Sequence, residues 1–235
     1  MNRILVLLIL SLIFLSCNKE KNPLLPEYDS SKLRIINIID YQYSIKVTGN
    51  DIELCDSLRC HHSSGYIDIY NDTLVVKVFE VSNRSNIVYD TLLSLDKENY
   101  YTLFLFKRSE NLSSLLVVDS LFQFDDITRI RIFNNSTNGE PFIFYMKSQT
   151  DTISFIEPNL YTLSSYSSLY DTTYTPCISL VLNDISADYD KIYLPKKHSY
   201  TIILSDKVTY ADSRYPYLPF LFIDINDKGG NVLLL

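Results

Sequence analysis

The chain has 235 residues, a formal charge of −7, 19 tyrosines, 12 phenylalanines, no tryptophan and only five glycines. An acidic balance with scattered Lys and Arg argues against nucleic acid as a partner, because phosphate binding needs clustered cations. So few glycines leave no room for a phosphate-cradling loop.

In chain order, Arg3 precedes an apolar run from Ile4 to Leu15 that only Ser11 interrupts. A charged start followed by 12 such residues is the pattern of an export signal, and it is short of the roughly 20 residues of a membrane span. The run ends in Phe14-Leu15-Ser16-Cys17, which resembles the cleavage site of bacterial lipoprotein signal peptides: a small residue stands directly before the cysteine that becomes lipidated. Phe14 departs from the aliphatic residue usual three places before that cysteine. The alternatives are an ordinary cysteine behind a secretory signal, or an uncleaved anchor. The resemblance implies residues 1–16 as signal peptide, with Cys17 lipidated and acyl chains anchoring the chain to a membrane. Residues 17–31 are then a polar tether, whose stretch from Asn18 to Ser30 reaches at most about 45 Å. Without residues 1–16, and so without Arg3, 219 residues of formal charge −8 remain, enough for one or two domains.

Beyond the tether the chain is rich in Tyr, Phe, Ile, Val and Thr, which favour pleated strands. No segment holds a helical period for three turns. Short runs such as Leu33–Ile39, Tyr66–Tyr70, Leu74–Val81 and Tyr101–Lys107 read as strands. Lys77-Val78-Phe79-Glu80-Val81 alternates as a half-buried strand does. The same runs recur. Leu33-Arg34-Ile35-Ile36-Asn37 matches Ile130-Arg131-Ile132-Phe133-Asn134, and Leu95 through Leu103 matches Leu194 through Ile202, at offsets of 97 and 99. This predicts two tandem modules, residues 32–124 and 125–235, joined near Phe124–Thr128. Seven or so short strands per hundred residues point to a β-sandwich.

In each module a leucine stands six residues before a tyrosine that opens an apolar strand: Leu95 before Tyr101, Leu194 before Tyr200. This resembles the tyrosine corner of immunoglobulin and fibronectin type III domains, where the phenol bonds to backbone a few residues upstream. The Arg-Ile-Phe-Asn-Asn-Ser run at 131–136 and the Leu-x5-Tyr-Thr close resemble an uncharacterised family of tandem immunoglobulin-like modules in bacterial cell-envelope lipoproteins, over residues 32–225. Asn37 is followed by Ile38-Ile39-Asp40 rather than the family's small polar turn. The resemblance implies an all-β fold of two immunoglobulin/fibronectin-III-like antiparallel sandwiches in the envelope, with the outer membrane as expected location, and no activity.

Candidate chemistry is sparse. Cys55-Asp56-Ser57-Leu58-Arg59-Cys60-His61-His62 offers sulfur and imidazole to zinc or copper. C-x4-C-H-H is not an established metal spacing, however, and the second module has no counterpart, so the segment reads as an insertion. A loop disulfide between Cys55 and Cys60 with solvated histidines is the plainer expectation, leaving Cys177 over. No nucleophile elbow or metalloprotease helix accompanies His61, His62 and His198, and paired carboxylates such as Asp125-Asp126 face opposite ways in an extended chain.

Asp-Ser/Thr followed by an aliphatic residue or Thr recurs at Ser57, Thr73, Thr91, Ser120, Thr152 and Thr172. It is similar to an O-glycosylation acceptor triplet of some Gram-negative envelopes; equally, it suits a turn that starts a strand. The tyrosine-rich run from Tyr161 to Tyr174, with Tyr166 and Tyr170, reads as a ligand surface or as a long loop or edge strand. The expectation is therefore a non-enzymatic envelope lipoprotein with no cofactor. It is attached to the membrane by lipid and partnered by an envelope protein or a glycan. The alternatives are metal capture through Cys55, Cys60 and His61, and accessory glycan binding through tyrosines.

Overall fold

The computed structural model describes residues 30–39, 44–108, 111–119, 127–135, 142–150, 152–156, 161–180, 185–188, 192–194, 196, 198–205, 220–224 and 232–234. Every regular element among them is a strand. The N-terminal half holds β1 (Ser31–Asn37), β2 (Ile45–Gly49), β3 (Ile52–Leu58), β4 (His62–Ile69), β5 (Thr73–Glu80), β6 (Asn83–Ser94), β7 (Tyr100–Arg108) and β8 (Asn111–Val118). The C-terminal half holds β9 (Thr128–Asn135), β10 (Phe142–Lys147), β11 (Thr152–Ile156), β12 (Ser167–Leu169), β13 (Thr173–Leu180), β14 (Ile185–Asp188), β15 (Ile192–Tyr193), β16 (Ser199–Ser205), β17 (Phe220–Asp224) and β18 (Val232–Leu234).

The strands form four sheets. Orders β4-β1-β7-β8 and β3-β2-β5-β6 make the first half, and β12-β9-β16-β17-β18 and β11-β10-β13-β14 the second, with β15 beside β13. Among the described residues no strand of one half pairs with a strand of the other. The strand order of the first half recurs in the second, which adds β18 at one edge and has β14 and β15 where the first has β6; in both a parallel pair, β1 beside β7 and β9 beside β16, stands within otherwise antiparallel sheets. Constant-type immunoglobulin domains instead join strands A, B, E and D in one sheet; here the first strand lies between the fourth and the seventh.

Local hydrogen bonds repeat as well. Ser64 Oγ accepts the Ile35 N–H at 3.0 Å, and Ser164 Oγ accepts that of Ile132 at 2.9 Å. His61 and Tyr161 both adopt positive φ, 61° and 58°, and both donate their N–H to the asparagine of the repeated run, Asn37 or Asn134, at 2.6 Å. The segment holding Cys55 is therefore not an insertion, because β3 is matched by β11. Its irregular polar composition hides a strand whose outer side faces water.

Between the two sheets of the first half lies a core of Leu33, Ile35, Ile45, Val47, Leu58, Leu74, Val76, Val78, Leu93, Tyr101, Leu103 and Leu105. Burying one such side chain stabilises the fold by about 1.5–3 kcal/mol. Gly49 fits here because a Cβ would come within 2.7 Å of Leu74 Cδ1. Ile130, Ile132, Phe144, Met146, Tyr174, Tyr200, Ile202 and Leu204 are buried in the second half.

Alternate residues of the inner strands point the other way, and there the halves meet. Ile36, Ile38, Phe104 and Phe106 pack with Phe133 and Ile203 in a separate cluster, edged by Leu115, Val117, Tyr161 and Leu163. The Phe104 and Phe133 rings stack at 5.0 Å, and Phe106 stacks on Tyr161 at 5.6 Å. The two sandwiches thus stand back to back through their β1–β7 and β9–β16 sheets.

Candidate functional site

The cysteine–histidine segment does not gather into a site. Cys55 and Cys60 are separate thiols, which corrects the disulfide expectation. Cys55 lies within β3 opposite Val47, and Leu58, three residues on, still belongs to the strand. Burial pushes the Cys55 thiol up to about 11, against its hydrogen bond with Val47. His61 makes the left-handed turn into β4, and His62 Nδ1 lies 2.9 Å from the Cys60 carbonyl. Among the described residues no three of His, Cys, Asp and Glu are placed to share an ion, so the metal reading of Cys55, Cys60, His61 and His62 has no geometry behind it. Cys177 pairs with Tyr145 and Asp188 along β13.

The densest polar chemistry lies instead between the halves, at residues that, Tyr166 apart, the sequence did not mark as a candidate site. Arg34 and Arg131 occupy matching positions, and each guanidinium sits over the tyrosine one strand away: Tyr66 at 4.1 Å, Tyr166 at 4.8 Å from the ring centre. Their parallel-strand partners are Thr102 and Thr201. Asp119, at the end of β8, joins the sets. Its carboxylate accepts from Tyr66 Oη at 2.7 Å, Thr102 Oγ1 at 2.5 Å and Arg131 Nη2 at 2.7 Å. Arg131 Nε donates to Thr201 Oγ1 at 3.0 Å. The Arg131 and Asp119 side chains are 4% and 0% exposed. Desolvation, with Asp119 beside it, pushes the Tyr66 phenol far above its ordinary range. Burial takes Tyr166 up to about 12. Tyr166 is half-buried with the Arg131 guanidinium over its ring, so it does not offer the open sugar platform read from the sequence.

Tyr101 accepts the Asp96 N–H at 2.8 Å, the geometry of a tyrosine corner. Tyr200 is buried at the equivalent place, but residue 195 is proline and has no N–H to offer. In that half the fully buried Tyr174 has a corner role, its hydroxyl accepting the N–H groups of Tyr170 at 3.1 Å and Asp171 at 2.9 Å. Of the triplet residues, Ser57, Thr73 and Thr152 are exposed and Thr91 and Thr172 half-buried. Ser120 lies outside the described residues, as do Cys17, Asp125 and Asp126. Thr73 and Thr152 open strands, while Ser57 and Thr91 stand inside them. Asp119, which begins the Ser120 triplet, is buried as described.

One recess, about 510 Å³, opens in the second half, lined by Lys147, Ser148, Gln149, Thr150, Asp171, Thr172, Thr173 and Thr175. Asp171 accepts from the Ser148 hydroxyl and from Thr150 Oγ1 at 2.6 Å. These bonds hold its carboxyl below the ordinary range.

No family model matches the sequence, and no curated protein does. Among solved structures, a candidate cell adhesion protein from Bacteroides ovatus aligns over 82% of this chain and 94% of its own, at 9% identity and a TM-score of 0.26. The family 26 carbohydrate-binding module of Eubacterium rectale Amy13K, solved with maltoheptaose, aligns over 79% and 99% at 9% identity and 0.24. The Bacillus anthracis TIE protein aligns over 88% of this chain and 43% of its own, at 11% identity and 0.24. Likenesses at this level transfer no function. What stands is the fold: an all-β chain of antiparallel sheets, in keeping with β-sandwich modules.

Proposed function

We propose that this chain is an exported bacterial envelope lipoprotein, held to the membrane through Cys17, that binds or presents a partner and catalyses no reaction. Residues 32–124 and 125–235 are its two immunoglobulin-like modules, and the outer membrane is its location. The observation that supports this most is the back-to-back packing of two like sandwiches about Asp119 and Arg131. Behind a lipoprotein-type leader, such a body is a stiff display unit, with the buried Asp119–Arg131 cluster holding its halves together. The partner is an envelope protein or a glycan.

The anchor is tested by feeding an alkyne-bearing fatty acid to the native host. The wild-type chain should carry the label and sediment with membranes, and Cys17→Ala should lose the label and become soluble. Unlabelled wild type, or labelled Cys17→Ala, refutes the anchor. Turnover in a broad substrate screen, abolished by one point change, refutes the non-enzymatic reading.

A further inference from the structure

The recess in the second half has a closed counterpart in the first. In β2–β3 the connection is two residues, Asn50 and Asp51, both at positive φ as a tight hairpin requires. The Asn50 side chain closes onto β5, its amide donating to the Thr73 carbonyl at 3.2 Å and accepting the Val75 N–H at 2.9 Å. In β10–β11, Lys147 pairs with Thr152, so the connection is four residues long. Its hydroxyls turn to Asp171 instead of sealing β13. Where Asn50 plugs one half, the other is left open.

The floor of the opening is the outer face of β13. Tyr174 between them is fully buried, so Thr173 and Thr175 look outward, and Lys147 shares their side as the partner of Thr175. Tyr193 faces Thr173 across the β13–β15 pair, on that same side and 66% exposed. Directly opposed residues hold their Cβ atoms about 4.5–5.5 Å apart, so Tyr193 stands beside Thr173, just outside the residues that line the recess. Tyr170, 65% exposed, leads into Asp171, and Tyr174 Oη pins both their backbone N–H groups.

We propose that this recess binds a neutral carbohydrate, with a sugar ring against Tyr193 and its hydroxyls on Asp171, Thr173, Thr175 and Gln149. The size lies in the range of about 300–1,000 Å³ usual for small-ligand sites. Every lining residue carries a polar group set among methyl and methylene surface, which suits a hydroxyl-rich ligand with C–H faces, and Lys147 offsets the Asp171 carboxylate, so a neutral ligand fits best. Hydroxyl, amide and carboxylate groups beside an exposed ring match a molecule whose edge is hydroxyls and whose face is C–H. The proposal rests on the reading of this chain as a binding protein, and its test does not depend on Cys17.

The full-length chain in detergent is titrated calorimetrically with neutral oligosaccharides of glucose, galactose, mannose and xylose, and with uronate oligosaccharides as the charged arm. At least one neutral oligosaccharide should bind. Tyr193→Ala and Asp171→Asn should each weaken it about tenfold or more. Tyr193→Phe should bind within about threefold of wild type, since the ring remains. Tyr70→Ala, at an exposed tyrosine of the first half, should change nothing. No neutral binding at millimolar sugar, binding of uronates alone, or binding indifferent to Tyr193→Ala would each overturn the proposal. Should acyl labelling fail while binding holds, only the anchor falls.

Discussion

Strand β5, in an outer sheet, alternates between exposed and buried residues over its first half, whereas β7, in an inner sheet, is buried without a break from Tyr101 to Phe106. The two strands belong to one sandwich and share one core, so the difference is not in the core they face. It lies behind them. Water stands behind β5, and β9 and β16 of the other half stand behind β7. A strand covered on both faces reads as a nearly continuous apolar run, and Tyr101-Thr102-Leu103-Phe104-Leu105-Phe106 is one. Any polar residue on such a strand must then find its partner inside the protein. Thr102 and Arg131 do so through Asp119, whereas Lys77 on β5 reaches Asp51 at the surface.

The contrast predicts a ranking. Arg131→Met should be among the most costly changes, about 3–5 kcal/mol in urea unfolding, because it strands the buried Asp119 carboxylate. Asp119→Leu combined with Arg131→Met should recover much of that loss, since apolar groups can replace a buried pair. A cost no larger than that of a surface charge would break the comparison. Cys55 should react with iodoacetamide about a hundredfold more slowly in the native than in the urea-unfolded chain at pH 8, as its raised pKa holds back the thiolate. The sign is that of a neutral form favoured by folding. The stabilisation is complete below the ordinary thiol value of 9.0 and is lost as pH climbs through about 11. Tyr101→Phe should cost about 1 kcal/mol, the worth of its bond to Asp96 N–H. Lys77→Ala should change stability by less than about 1 kcal/mol, because Asp51 is largely exposed.

Much of the strand plan was legible in the residues. The runs at 33–39, 66–70, 74–81 and 101–107 overlap β1, β4, β5 and β7, and the duplication seen in Arg34/Arg131 reappears as matched hydrogen bonds. Strands β3, β12, β14 and β18 were missed. In β3 the burial pattern leaves most residues at or near the surface, so no apolar alternation marks it. His61 looked like a metal ligand because imidazole chemistry is conspicuous, whereas its place is a left-handed turn that Tyr161 fills in the other half. Tyr166 looked like a surface platform because nothing local distinguishes a tyrosine under an arginine from one in water.

Composition and local pattern determined the all-β class, most strand positions and the repeat, because side-chain alternation and turn chemistry act within a few residues. Tertiary structure alone decided that the halves pack back to back, that Asp119 meets Arg131, and that one hairpin is sealed while its counterpart is open. Those outcomes join residues far apart in the chain, 23 and 25 positions from Asn50 to Thr73 and Val75. A charge or amide reveals its partner only when the fold has removed the water that would otherwise serve it.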